Sequence, residues 1–158
     1  MIPWTALFAA TAWVDVAVIA LSKVVPLTKS LTTWYAEFGL NAVGLDILVI
    51  VLGIALAKFL VPAATGLTLI GVAVAIQLLH DLVFYGIILA VPAGQNRVMD
   101  LFKRYAAEGS WKILVADAAM VAAAVWGMET LDAVLTDDQV LWTGLLGLYA
   151  LLYIVYTK

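Results

Sequence analysis

His80 and Asp81 stand side by side in the middle of an apolar stretch, residues 67–91, that is long enough to cross a bilayer. His80 is the single histidine of the chain. A charged side chain near a bilayer midplane costs about 2.5–3.5 kcal/mol on insertion scales. Such a residue comes with a buried partner, a water-filled cavity or a task. An imidazole beside a carboxylate can relay a proton near neutral pH. Gln77, about one helical turn earlier, adds an amide to the same stretch. The rest of the chain is expected to pack around this segment.

The other apolar runs carry candidate partners: Asp15 in residues 4–22, Asp46 in 41–60 and Asp117 in 112–131. Carboxylates brought close together cannot all stay ionised without a counter-charge, so they share protons or bind a cation. Oxygen ligands with one imidazole suit Mg²⁺, Mn²⁺ or Zn²⁺. A divalent cation is thus the candidate cofactor, with His80 and Asp81 as candidate metal ligands. Asp15, Asp46, Gln77, His80, Asp81 and Asp117 together form the candidate ion or substrate site. The competing reading makes the acids structural, each hydrogen-bonded across helices to Thr5, Thr11, Asn41, Gln77, Tyr85 or a tryptophan N–H. Consecutive helical residues point about 100° apart, so only one of His80 and Asp81 need face the centre.

These residues need a membrane scaffold to hold them. The chain has 158 residues, 66% of them hydrophobic, and a mean hydropathy of +1.11. Charged residues make up 12%, about half the share of a soluble domain. That much apolar surface has no place inside a water-soluble core of this size, so the class is a single all-α membrane domain spanning residues 1–158. A net charge of −3 and the lack of any nucleic-acid motif argue against a nucleic-acid partner. The absence of cysteine removes disulfides, thiolate metal sites and thiol catalysis.

Five apolar runs are expected to be membrane helices: 4–22, 41–60, 67–91, 112–131 and 140–157. The first lacks a basic leader and is read as a retained helix rather than a signal peptide. Pro26 stops it from running on. Residues 30–38 read as an amphipathic surface helix with Trp34, Tyr35 and Phe38 at headgroup level and Lys29 and Glu37 in water. Residues 95–111 interleave Leu101, Phe102 and Tyr105 with Arg97, Lys103, Arg104 and Glu108, a second surface helix. Gly53 and Ala57 are spaced for close helix packing, and small-residue faces of this kind also suit a homo-oligomer. The alanine-rich fourth run is expected to be central and the fifth to face lipid. Glu129 is expected to be solvated. No internal repeat supports an inverted-repeat transporter.

Five spans place the termini on opposite sides. Every basic residue except Lys58 falls on the side of the C-terminus, and Lys58 can snorkel outward. The positive-inside rule then sets the N-terminus outside or lumenal, the C-terminus in the cytosol, and both surface helices on the cytosolic side. Asp46 and Asp117 lie roughly 7–8 Å from the cytosolic ends of their helices, Asp15 about 10 Å and His80 with Asp81 about 15 Å. The acids would line a funnel that opens to the cytosol.

The ordered residues Trp4…Asp15, Trp34-Tyr35-x-x-Phe38-Gly39, Asp46, Leu79-His80-Asp81-Leu82-x-Phe84-Tyr85, Asn96-Arg97-Val98-x-Asp100-Leu101-Phe102-Lys103-x-Tyr105-Ala106 and Asp117 carry a further signal. Up to about Met120 the chain resembles small multi-pass membrane proteins encoded by large DNA viruses of algae and protists. The resemblance implies a viral origin and a host or virion membrane as destination. It brings no activity and no catalytic residue. The fourth run is more apolar than in those proteins, which leaves Asp117 as its polar feature.

The spacings match no HExxH, GxSxG, P-loop or dinucleotide fingerprint, which weighs against an enzyme. The expectation is a cation- or proton-binding or transport protein built on the Asp/His cluster. The alternative is a structural or assembly protein of a viral or internal membrane. A third reading is a metal-dependent lipid-modifying enzyme, with Arg97, Lys103, Arg104 and Lys112 holding phosphate at the cytosolic mouth.

Overall fold

A computed structural model describes residues 1–25 and 27–157. The break expected at Pro26 and the basic Lys158 lie outside the described residues. Among the described residues there are seven helices and no strand: α1 (Trp4–Val24), α2 (Lys29–Phe38), α3 (Leu40–Leu60), α4 (Gly66–Ala90), α5 (Arg97–Gly109), α6 (Trp111–Val134) and α7 (Asp137–Ile154). Four of them, α1, α3, α4 and α6, are long and apolar enough to cross a membrane. Two aspartates and Gln139 in its first turn leave α7 less apolar than these four.

The four long helices form an up-and-down bundle in which α1 packs on α3 and α6, and α4 packs on α3 and α6. The short helices α2 and α5 pack on each other across one end of this bundle. That end holds the C-termini of α1 and α4 and the N-termini of α3 and α6. α7 lies outside the four, along α1.

The hub is α1, not the His80 segment. Half of the most apolar window of α1 is buried, against 17% for α4. Side-chain size explains the difference. Ala6, Ala9, Ala10 and Ala12 give α1 faces that neighbours can approach closely. A Cβ added at Gly127 of α6 would lie 3.1 Å from the Cβ of Ala10. One added at Gly144 of α7 would lie 3.3 Å from that of Ala9, and one at Gly147 3.3 Å from that of Ala12. Overfilling contacts this tight typically costs about 1–3 kcal/mol. Trp13 fixes the register by donating its indole N–H to the carbonyl of Thr143, 3.0 Å. α4 instead presents Leu79, Leu82, Val83, Ile87 and Leu89 outward. α6 touches α1, α3, α4, α5 and α7, as its alanines suggest, while Val115, Trp126 and Val134 still face out.

Two other expectations are corrected. A Cβ at Gly53 would meet nothing within 4 Å, so within the chain the Gly53–Ala57 pair is not a close helix contact; of the two, only Ala57 is buried. Glu129 is not simply solvated. Both its oxygens accept the backbone N–H of Gly66 at 3.0 Å, which caps the first turn of α4 with an anion. Lys58 reaches the adjacent turn and donates to the carbonyl of Ala64, 2.8 Å.

Gly39 and Ser110 turn the chain from each short helix into the following long one. Both have φ of 51°, with ψ of −125° and −135°. That is glycine territory, which Ser110 occupies at a cost. At Gly39 a Cβ would also sit 2.9 Å from the Tyr156 hydroxyl, so the end of α7 packs against this corner.

Candidate functional site

Amphipathic spacing brings the short helices over the end of the bundle. In α2, Leu31, Trp34 and Tyr35 are buried, while Lys29 and Glu37 are exposed. In α5, Leu101 is buried and Phe102 and Tyr105 are half-buried. Asn96 begins α5 by accepting the N–H groups of Val98 and Met99, 2.9 and 3.2 Å. Asp100 accepts the N–H of Gly94, 2.9 Å, and Lys103 donates to the carbonyl of Val91. The two helices are joined by Ser30, whose N–H and hydroxyl each donate to the Glu108 carboxylate at 2.9 Å. Arg97 pairs with Glu37 at 3.0 Å on the exposed side.

Beneath this cover lies a cavity of about 970 Å³. Its walls come from α1 to α6 and are mainly apolar. Asp46, Gln77, His80, Asp81 and Asp117 all line it. Asp15 does not. It is fully buried behind the wall, and neither of its oxygens has a hydrogen-bond partner. It remains close enough to Asp46 for the two charges to act on each other.

Each wall acid has a different setting. Asp46 accepts the Tyr35 hydroxyl at 2.9 Å and the Trp34 indole N–H at 3.2–3.3 Å. Asp81 uses one oxygen, which accepts from Gln77 at 2.7 Å and faces His80 Nδ1 at 3.1 Å. Its other oxygen is buried and unpartnered. His80 stacks on Phe84, 5.8 Å between ring centres. Asp117 is half-buried and lies within electrostatic reach of Asp81 and Asp46. Among the described residues lining the cavity there is no Lys or Arg.

Tyr35 and Tyr105 feel this field. Burial first, and then the nearby Asp46 carboxylate, pushes the Tyr35 hydroxyl above its ordinary value. Burial, then Asp117, Asp46 and Asp81, does the same for Tyr105. Both phenols thus stay protonated as donors.

Several of these residues were not expected in the site. Trp34 and Tyr35 do not face outward but are buried and turn inward onto Asp46. Tyr105, Phe84 and Phe102 also line the cavity. The signal was the spacing 31, 34, 35, 38 and 98, 101, 102, 105, an apolar face that has to be covered by something. Nor do Arg97 and Lys103 line the cavity, so the expected phosphate clamp does not meet the acids. Among the described residues no three His, Asp or Glu side chains converge as metal ligands. No family model, curated protein or solved structure matches the chain.

The Ser30–Glu108 link should be sensitive to acid. Backbone and side-chain hydrogen bonds from Ser30 hold the Glu108 carboxyl below its ordinary 4.5. A depressed folded value adds stability above the unfolded value, and that stability is lost as pH falls through the folded one. Replacing Glu108 with Gln should lower the unfolding temperature at neutral pH. The gap to the native chain should narrow as pH falls through the depressed folded value. A series of thermal unfolding curves in detergent from neutral to acid pH checks this, and a gap that does not narrow in acid contradicts it.

Proposed function

We propose that the protein is a cation- or proton-binding integral membrane protein whose site is the acid-lined cavity under α2 and α5. The observation that carries this reading is the set of Asp46, Asp81 and Asp117 on the wall of one cavity with no Lys or Arg among its described lining residues. Carboxylates so placed need a proton or a mobile cation as counter-charge. Asp15, buried and unpartnered behind them, adds to the same demand. Gln77 and His80 orient Asp81, and Trp34 and Tyr35 orient Asp46. A structural or assembly role is the second reading. The hydrogen bonds of Asp46 favour it, since they tie α2 to α3 whatever the cavity holds. A lipid-modifying enzyme is less well supported, because Arg97 and Lys103 are engaged away from the cavity.

In this reading α7 is a fifth span. Its 18 residues rise about 27 Å and run parallel to α1. The amphipathic helices α2 and α5 lie on the cytosolic side, where the basic residues gather, and the N-terminus is outside or lumenal. A cysteine placed at Ser110 should then react with an impermeant maleimide only after the cytosolic face is opened. One at Thr136 should react from outside. The reverse pattern would invert the topology.

Transport or binding in liposomes tests the site. Replacing Asp81 and Asp117 with Asn should lower proton or cation uptake by about tenfold or more. The protein should still insert and fold. Uptake equal to that of the native chain would leave the structural reading standing.

A further inference from the structure

We propose that the cavity takes an amphiphilic organic cation: an amine, or a comparable onium centre, carried on an apolar body. This rests on the cation-binding reading above and narrows it to a ligand class. Size is the first reason. About 970 Å³ is the upper end of the range for pockets that enclose a drug-sized molecule, roughly 300–1,000 Å³. A single metal ion would leave most of it unfilled.

The walls are the second reason. Trp34 and Phe102 lie 5.0 Å apart, Phe102 and Phe84 5.4 Å, and Phe102 and Tyr105 6.3 Å, all between ring centres. All four line the cavity together with Asp46, Asp81 and Asp117. Aromatic rings beside carboxylates suit a diffuse, weakly hydrated cation, which gains from ring faces and from long-range charge. Mg²⁺ or Ca²⁺ needs about six or more oxygen ligands within 2.0–2.6 Å, and Zn²⁺ needs about three or four converging protein ligands. The cavity has no such cage. Among the described residues no trio of His, Asp or Glu converges, and Asp46 is already held by Trp34 and Tyr35.

Access is the third reason. Leu21, Leu45 and Leu82 line the cavity and are still 53%, 51% and 60% exposed. The cavity is therefore open along the flanks of apolar helices. A ligand with an apolar body can enter by that route, whereas a hydrated ion is poorly suited to it.

Two probes of matching shape and opposite charge give the test. Tetraphenylphosphonium and tetraphenylborate are offered to the full chain in phosphatidylcholine nanodiscs, and binding is read by equilibrium dialysis against empty nanodiscs. The phosphonium should bind saturably, about tenfold or more tighter than the borate. Asp117→Asn should remove most of that preference. This variant is chosen because, among the described residues, no hydrogen bond ends on Asp117, so the exchange costs the fold little. Phe102→Leu, which removes a ring from the cavity wall, should weaken the phosphonium. Equal binding of the two probes, or a preference that survives Asp117→Asn, overturns the proposal. Aspartate-dependent proton or Mg²⁺ binding without phosphonium preference overturns the organic ligand but keeps the broader cation reading. Loss of all three overturns both.

Discussion

A set of carboxylates with no Lys or Arg among the described residues lining their cavity is the constraint on which this structure turns. Asp46, Asp81 and Asp117 face one cavity from three helices of an apolar bundle, and Asp15 is buried behind it. Ionised and unpartnered, such groups cost several kcal/mol each. Of the eight Lys and Arg residues in the chain, none of those described lines the cavity. The ones near the cavity are turned to other work: Arg97 to Glu37 and Lys103 to the end of α4. The acids are instead supplied with neutral donors, the Tyr35 hydroxyl, the Trp34 N–H and the Gln77 amide. Neutral donors position a carboxylate without cancelling its charge, which leaves room for a mobile counter-charge.

The architecture follows from keeping that cavity. Small residues on α1 draw α6 and α7 in until glycines meet alanines, which makes α1 the rigid spine. The opposite side, with its aspartates and aromatic rings, packs less tightly and leaves the space. α2 and α5 then close the end, clamped to each other by Ser30 and Glu108. The clamp, the rings and Asp46 are linked in one run, since Trp34 touches Phe102 and also donates to Asp46. Cover and site are therefore in direct contact.

Much of the fold was legible in the sequence, because apolar runs and their breaks report directly on helices. The expected run 67–91 corresponds to α4 (Gly66–Ala90), and residues 30–38 to α2 (Lys29–Phe38). The acids were legible as exceptions to apolar patterning, and all but Asp15 reach the cavity wall. What could not be read was direction. A helical period shows that 31, 34, 35 and 38 share a face but not whether lipid or protein covers it. Trp34 and Tyr35 were therefore assigned to headgroups when they serve Asp46. Glu129 was missed for a related reason: its partner is a backbone N–H at the start of another helix, which carries no side-chain signature. Polarity singles out His80, whereas the packing hub is set by the alanines of α1 and the glycines that meet them.

The central claim is that the cavity carries an uncompensated negative field, and the absence of cysteine lets that field be measured at one atom. A cysteine at Met120, a wall position with no charge of its own, can be modified by cationic trimethylammonium-ethyl and anionic sulfonato-ethyl methanethiosulfonates. Each rate is divided by the rate with a free thiol in solution. The account predicts that the cationic reagent is favoured by about tenfold or more, and that replacing Asp46 and Asp117 with Asn removes the preference. Equal normalised rates, or a preference unchanged by the two substitutions, would contradict it.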